Sequence, residues 1–176
     1  MVSVEPSPPD PYLNSTPAAG PCDRPTYRLA DATPAMEVRR VETSDELADA
    51  MAVRRAVFVE EQGVPEHLEV DGNDDSATHF VAYDGDRPVG AARLRTYDGS
   101  RAKVERVAVL EPERGAGVGR RLMDVLETTA AEAGFESLVL HAQVPVVGFY
   151  ERLGYEVTGE EFEDAGISHR EMRKSL

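Results

Sequence analysis

Residues 104–123, VERVAVLEPERGAGVGRRLM, form an alternating strand-like run followed by a glycine-rich turn and the start of a helix. The first turn of a helix presents unpaired N–H groups and the positive end of the helix dipole, so it suits an anion. Gly115, Gly117 and Gly119 would let a bulky phosphate approach the backbone without a Cβ clash. This stretch therefore predicts an anion site between a strand and a helix.

The local charge around this turn opposes the charge of the whole chain. The protein has 33 acidic and 19 basic residues, a net charge of −14, whereas residues 101–121 contain six basic and three acidic side chains. Arg114, Arg120 and Arg121 belong to this local excess of cations, which an anion site requires. The turn lacks the Gly-Lys-Ser/Thr ending of a nucleotide P-loop, and its glycine spacing does not fit a dinucleotide site. A helix start that happens to be rich in glycine is the simpler alternative.

Apolar patterns on both sides of this stretch predict the other elements. Upstream we expect a strand at Glu37–Val41, a helix capped by Thr43 or Ser44 with apolar positions from Leu47 to Phe58, a polar connection at Glu60–Ser76, and a hairpin of Thr78–Tyr83 and Pro88–Arg95. Next we expect a strand at Lys103–Leu110, helices at Gly117–Ala133 and Val146–Leu153, and strands at Ser137–Ala142, Tyr155–Gly159 and Ser168–Arg173. This order indicates a mixed α+β sheet.

Composition divides the chain into a tail and one domain. Eight of the twelve prolines lie within residues 1–34, with few aliphatic residues among them. Such a segment cannot bury enough surface to offset its ordering entropy, so we expect residues 1–35 to be a disordered extension. Residues 36–176 are then one domain, since 176 residues are too few for two ordinary ones.

Several functional classes are disfavoured by composition. No apolar run approaches the length of a membrane-spanning helix, and the N-terminus lacks the features of a secretory signal, so we expect a cytoplasmic protein without a membrane partner. The single cysteine, Cys22, cannot form an internal disulfide. A net charge of −14 disfavours nucleic-acid binding, and the 17 arginines against two lysines favour a halophilic source over an ordinary acidic protein.

Two motifs in sequence order resemble the GNAT superfamily of acyl-CoA-dependent N-acetyltransferases. Arg114-Gly-Ala-Gly-Val-Gly119 matches the Arg/Gln-x-x-Gly-x-Gly/Ala signature of that family, and it follows a strand as the signature should. Gly148-Phe-Tyr-Glu-Arg-Leu-Gly-Tyr155 resembles the second hallmark, a short helix with a tyrosine followed by a Gly-aromatic step. The segments 58–62, 142–143 and 164–169 further resemble the ElaA-like branch. The resemblance covers about residues 37–176.

The resemblance implies a fold and a set of donor contacts. The fold would be a mixed, mostly antiparallel twisted sheet of about seven strands, with helices on both faces and a splay between the fourth and fifth strands. Acetyl-CoA would lie in that splay as co-substrate. The implied contacts are the backbones of Val107, Ala108 and Val109, the turn residues Arg114, Gly115, Ala116, Gly117, Val118, Gly119 and Arg120, and the side chains of Gln143 and Tyr150. Gln143 occupies a place where the family often has Asn.

The resemblance also implies catalytic roles. Tyr150 matches the general acid that assists the departing CoA thiolate, and a half-buried structural tyrosine is its alternative. Glu105, on the strand that lines the splay, is a candidate base for the attacking amine, and pairing with Arg93 or Arg95 is its alternative. His79, His141 and His169 are further candidates, and because no two of them have metal-ligand spacing we expect no metal.

The acceptor itself is an open question at this point. The seven carboxylates between Glu60 and Asp75 could line a site for a cationic amine or could be solvated surface. We expect an N-acetyltransferase that acts on a small-molecule or peptide amine as a monomer or homodimer. The alternatives are a non-catalytic acyl-CoA-binding sensor and a transferase of a longer acyl group.

The charge balance yields a direct test. Added salt should weaken the repulsion among the 33 carboxylates. We therefore expect the melting temperature to rise between dilute and molar KCl, as followed by circular dichroism. A melting temperature that does not change with KCl would remove the argument for a halophilic source.

Overall fold

The structure is a computed structural model that describes residues 36–176 of the 176-residue chain. The predicted disordered extension at residues 1–35 lies outside the described residues. The strands are β1 Glu37–Arg40, β2 Thr78–Asp84, β3 Arg87–Asp98, β4 Arg101–Val109, β5 Ser137–Gln143, β6 Glu156–Asp164 and β7 Ile167–Ser175. The helices are α1 Ser44–Arg54, α2 Glu66–Glu69, α3 Val118–Glu132 and α4 Val147–Glu151. Within this part of the chain, no helix is long and apolar enough to cross a membrane.

Seven strands form one mixed sheet in the order β1-β2-β3-β4-β5-β7-β6. Every neighbouring pair is antiparallel except β4 and β5, which are parallel and joined through α3. A parallel pair needs such a crossover, because its strands begin at the same edge of the sheet. β4 and β5 pair only from Arg101 to Val104, opposite Ser137 to Leu140, and then separate. The predicted sheet and its splay between the fourth and fifth strands are confirmed.

The two faces of the sheet are covered by different helices. Successive side chains of a strand point to opposite faces, and in β2 Phe80 packs in the cluster beneath α3 whereas Val81 packs in the cluster beneath α1. α1 contributes Ala50 and Val53 to its cluster. α3 contributes a larger apolar stripe that includes Leu122. The prediction of helices on both faces is therefore confirmed.

The segment between α1 and β2 differs from its prediction. A capping box of Thr43 and Glu46 starts α1 as expected. The helix then continues as a π-helical segment, Arg55–Glu61, and the predicted polar connection contains α2 and a 3₁₀ turn at Asp74–Ser76. These short helices were not predicted, because their apolar positions are too few to show a helical period.

A β-bulge divides β4 into two parts. Ala91 of β3 pairs with Ala108, but Arg93 pairs with Glu105, so β4 carries one additional residue in this interval. Arg106 lies at the bulge with φ of 55°. The extra residue shifts the alternation of side chains. Glu105 therefore faces the α1 side, whereas Val107 packs against the cluster on the α3 side.

A network of ion pairs lies between α1 and the sheet. Its centre is a pair of fully buried arginines, Arg54 on α1 and Arg93 on β3, each with 0% exposure. Asp74 accepts from Arg54 at 2.6 Å and from Arg93 at 2.9 Å. Arg93 also donates to Asp71 at 2.7 Å and to Glu105 at 2.8 Å, and Glu69 accepts from Arg54. Full pairing is needed here, because an arginine without water or an acceptor is very costly to bury.

The same network fixes residues 68–74 over the α1 face of the sheet. Arg106 of β4 pairs with Glu69 at 2.6 Å and donates to the Leu68 carbonyl at 2.9 Å. Arg95 of β3 donates to Asn73 at 3.0 Å. Residues 68–74 are therefore bound to α1, β3 and β4 together. Glu69, Asp71 and Asp74 are thus partners of buried or half-buried arginines, a role that neither of the two sequence interpretations of this segment included.

The network predicts a stability difference between two glutamates of the same helix. Glu69→Gln should lower the free energy of unfolding by about 3 kcal/mol, because it leaves buried charge on Arg54 that Asp74 only partly offsets. Glu66→Gln removes an exposed pair with Arg55 and should change stability little. Urea unfolding of both variants measures the difference. Equal losses would show that the network does not carry the stability of this region.

Candidate functional site

A cleft of about 1030 Å³ opens where β4 and β5 separate. β4, the glycine-rich turn before α3, the end of β5 and α4 all contribute to its walls. The segment after α1 and the β6–β7 turn close its other end, through Phe58 and Ile167 among others. One continuous opening therefore joins the turn at residues 114–120 to Tyr150.

The glycine-rich turn has the geometry that its sequence predicts. Gly115 and Gly117 have φ of 83° and 87°, in the left-handed region that favours glycine, and a Cβ on either would point into open space. Arg121 donates the first backbone bond of α3, to the Gly117 carbonyl at 3.1 Å. Among residues 36–176, no backbone acceptor engages the amides of residues 115–120. These amides and the helix dipole form a positive surface at the cleft.

The three arginines of the turn have different partners. Arg114 donates to both carboxylate oxygens of Glu61, at 2.8 and 2.6 Å, and to the Val109 carbonyl. Arg121 donates to the Met36 carbonyl and lies outside the cleft. Arg120 lies in the cleft wall with its guanidinium largely exposed. The positive potential of the turn therefore comes chiefly from backbone amides and Arg120, whereas Arg114 anchors the turn to the end of the π-helical segment.

The two sequence motifs are in contact. A Cβ placed on Gly119 would lie 3.3 Å from the ring of Phe149, so glycine allows a close approach of α3 to α4. The Phe149 ring packs edge-on against Tyr150, with centroids 4.9 Å apart. The start of α3 and the helix that carries Tyr150 thus form one packed unit.

Tyr150 lies at the boundary between the core and the cleft. The residue is 8% exposed and belongs to the core cluster, yet it lines the cleft. Burial raises the pKa of its phenol above the ordinary value. The hydroxyl is therefore protonated at neutral pH.

Glu105 lies in the cleft wall but is bound by three cations. It accepts from Arg95 at 2.7 Å and from Arg93 at 2.8 Å, and Lys103 lies 3.3 Å away. Burial raises the pKa of this carboxyl, but the hydrogen bond from Arg95 and the charge of Arg93 outweigh burial and hold the pKa at about 2. A carboxylate so stabilised is a weak proton acceptor. The structure therefore favours the alternative role of Glu105, a structural partner of Arg93 and Arg95, over the role of base.

The remaining predicted residues of β4 and β5 line the cleft. Val107, Ala108 and Val109 line the cleft along β4, and Gln143 lines it at the end of β5. Gln143 donates to the side-chain oxygen of Gln62 at 2.9 Å, so its own carbonyl oxygen and its second N–H are left for a ligand. Sequence reasoning missed Gln62 as a site residue. Gln62 lies in the segment 58–62, which indicated only a resemblance to the ElaA-like branch and no role for this residue.

The three candidate histidines have different locations. His141 and His169 line the cleft, and both pack against the Phe162 ring. His79 lies outside the cleft, and its Nε2 bonds to the Asp74 carbonyl at 3.0 Å. Burial and the charge of Lys103 lower the pKa of His141. His169 Nδ1 lies 2.7 Å from the carbonyl oxygen of Ile167. The cleft thus brings together two of the three histidines.

Proteins similar to this chain in sequence or in fold include some that are named acetyltransferases or acyltransferases. YjcF of Bacillus subtilis, named an uncharacterized N-acetyltransferase, is 47% identical over 74% of this chain and 93% of its own length. The crystal structure of Escherichia coli ElaA has a TM-score of 0.71 and 28% identity, covering 79% of this chain and 99% of ElaA. An acyl-CoA N-acyltransferase from Pseudomonas aeruginosa has a TM-score of 0.69 and 26% identity, covering 79% and 97%.

A family model gives the broader assignment. The model described as an acetyltransferase (GNAT) domain matches residues 39–176, nearly all of the described chain. The likeness to ElaA confirms the predicted relation to the ElaA-like branch. With its glycine-rich turn, its splayed sheet and the tyrosine of α4 in one cleft, this chain belongs to the GNAT acetyltransferase family.

Proposed function

We propose that the protein transfers an acetyl group from acetyl-CoA directly to a primary amine. The observation that carries the proposal is the single cleft that joins an anion-binding turn to a buried, protonated Tyr150 through the separation of β4 and β5. Such a cleft suits a long donor with phosphates at one end and a thioester at the other. Names of the relatives support the same activity. The cytoplasmic location and the monomer or homodimer remain predictions from the sequence.

Donor binding follows from backbone groups. The amides of residues 115–120 would hold the diphosphate, together with Arg120. Beyond Val104, β5 no longer pairs with β4, so backbone groups on that edge of β4 are left for a ligand. The pantetheine arm would bond to Val107, Ala108 and Val109 as an added strand does. A backbone N–H on this edge would also stabilise charge on the thioester oxygen.

Direct attack requires one acid and one base. The amine nitrogen attacks the thioester carbon, a C–N bond forms, and the C–S bond then breaks. Tyr150 would donate its hydroxyl proton toward the departing sulfur, which is a better leaving group as a thiol than as a thiolate.

The activity is tested by mixing the protein with acetyl-CoA and a panel of primary amines. Thiol release, with mass spectrometry of the acetylated amine, is the measurement. The panel should include polyamines, aminoglycosides, amino acids and peptides. Binding of acetyl-CoA without thiol release for any amine would favour a non-catalytic acyl-CoA-binding sensor. Faster release from longer acyl-CoA donors would favour a transferase of a longer acyl group.

The anion turn predicts a specific loss of donor affinity. Gly117→Val places a branched side chain where the diphosphate would approach, so the Kd for acetyl-CoA should rise at least 10-fold by calorimetry. Both Gly117 and Gly134 have positive φ and open space around a Cβ, and Gly134 lies outside the cleft. Gly134→Val is therefore the matched control for backbone strain. If the two variants bound acetyl-CoA equally well, the turn would not be the phosphate site.

The acid role predicts a change in kcat rather than in affinity. Tyr150→Phe removes a hydrogen bond needed mainly in the transition state, so kcat should fall by about 10² or more while the Kd for acetyl-CoA stays near that of the wild type. Tyr155 packs against the Tyr150 ring from the core and does not line the cleft, so Tyr155→Phe is the control. Full kcat in Tyr150→Phe would assign the acid to another group.

A further inference from the structure

The site described above contains an acid but no assigned base, and the two faces of the sheet restrict where a base can lie. Tyr150 belongs to the core cluster on the α3 side, together with Leu140 and Ala142 of β5. The alternating residues His141 and Gln143 face the α1 side. The nitrogen approaches the thioester carbon from one direction, and the sulfur departs from that carbon in another. A base for the amine therefore belongs on the α1 side of the gap.

The carboxylates of the cleft on that side are mostly engaged. Glu105 is held by Arg93 and Arg95, and Glu69 and Asp71 are held within the same network. Asp164 also lines the cleft, but it is the exposed last residue of β6. Imidazole is the side chain whose ordinary pKa lies closest to neutral, so histidines are the stronger candidates.

Of the two histidines in the cleft, His169 is the one with a ring nitrogen bonded to a backbone carbonyl. Its Nδ1 lies 2.7 Å from the Ile167 carbonyl oxygen, which can only accept, so Nδ1 carries the proton of the neutral ring. The lone pair is then on Nε2, at the opposite edge of the ring. Stacking on Phe162, with centroids 5.9 Å apart and planes 23° apart, holds the ring orientation. His169 is also the direct partner of Gln143 in the β5–β7 register, at the end of the gap.

We propose that Nε2 of His169 is the general base that takes a proton from the acceptor amine. This inference rests on the acetyl transfer proposed above. His141, by contrast, has no hydrogen bond among the described residues that would fix its tautomer, and its Nε2 lies 3.9 Å from the Glu171 carboxylate. The charged or titratable groups on the same face include, besides Glu105 and its partners Arg93, Arg95 and Lys103, His141 of β5, Asp164 of β6, and Glu171 and Arg173 of β7.

The proton balance assigns one step to each residue. An ammonium acceptor loses two protons when it becomes an amide. His169 Nε2 takes the first and releases it to solvent, which leaves the lone pair that attacks the thioester carbon. The second proton leaves the nitrogen after the C–N bond forms. It replaces the proton that Tyr150 gives to sulfur, so Tyr150 is protonated again at the end of the reaction. The products are the amide, the free thiol and one solvent proton.

Kinetics of three histidine variants test the proposal. His169→Gln should lower kcat/KM about 100-fold at pH 7 and should abolish the fall in rate that the wild type shows as pH decreases through protonation of its base. High pH should rescue part of the loss, because the amine is then already deprotonated. His67→Gln, on the outer surface of α2 and outside the cleft, is the control and should keep the wild-type profile. The proposal is overturned if His169→Gln keeps the wild-type profile or if His141→Gln alone shows the loss.

A measurement without turnover separates this inference from the activity itself. Nitrogen-15 spectra of the histidine rings in the full chain should place the proton of neutral His169 on Nδ1, with Phe162→Leu as a variant that loosens the ring. A proton on Nε2 in the neutral ring overturns the assignment whatever the amine. A wild type that releases no thiol with any amine would instead overturn the proposed function, and the spectra would still decide the tautomer.

Discussion

The burial of Arg93 is the constraint on which the rest of the site depends. Its guanidinium has no contact with solvent, so every N–H group needs an acceptor, and the acceptors come from a loop, a neighbouring strand and a turn. Satisfying Arg93 therefore brings Asp71 and Asp74 over the sheet and holds Glu105 on β4. The floor of the cleft and the wall formed by residues 68–71 are positioned by this one side chain together with Arg54.

This arrangement also explains how a strongly acidic chain can present a positive surface at its cleft. The carboxylates near the cleft floor are neutralised by arginines, and Glu61 is likewise bound by Arg114. The potential at the glycine-rich turn is then governed by backbone amides, which carry no net charge and depend little on the charge of the whole chain. The proposed anion site is compatible with a net charge of −14, because arginines pair with the carboxylates that lie near it.

Much of the fold could be predicted from sequence because its signals are local. The capping residues of α1, the alternation in β2 and β4, and the glycine after α3 each depend on neighbours in the chain. The glycines of the turn, and the placement of Tyr150 in the cleft, followed from short motifs. The roles of Glu69 and Asp74 could not be predicted, because they depend on partners 15 and 20 residues away that meet only in the folded sheet. For the same reason, alternation identified the strand of Glu105 but not which of its two possible roles was favoured.

The contact of Gly119 with Phe149 has a consequence for length. Because the start of α3 rests directly on the ring beside Tyr150, the separation between the anion turn and the phenol is set by van der Waals radii rather than by a flexible loop. The two helices therefore hold the turn and the phenol at a fixed separation along the cleft. In the proposed transfer, a donor bound at the turn would present its thioester at a defined distance from the phenol. A donor arm one or two bonds shorter or longer would then place its reactive carbon out of line with the phenol.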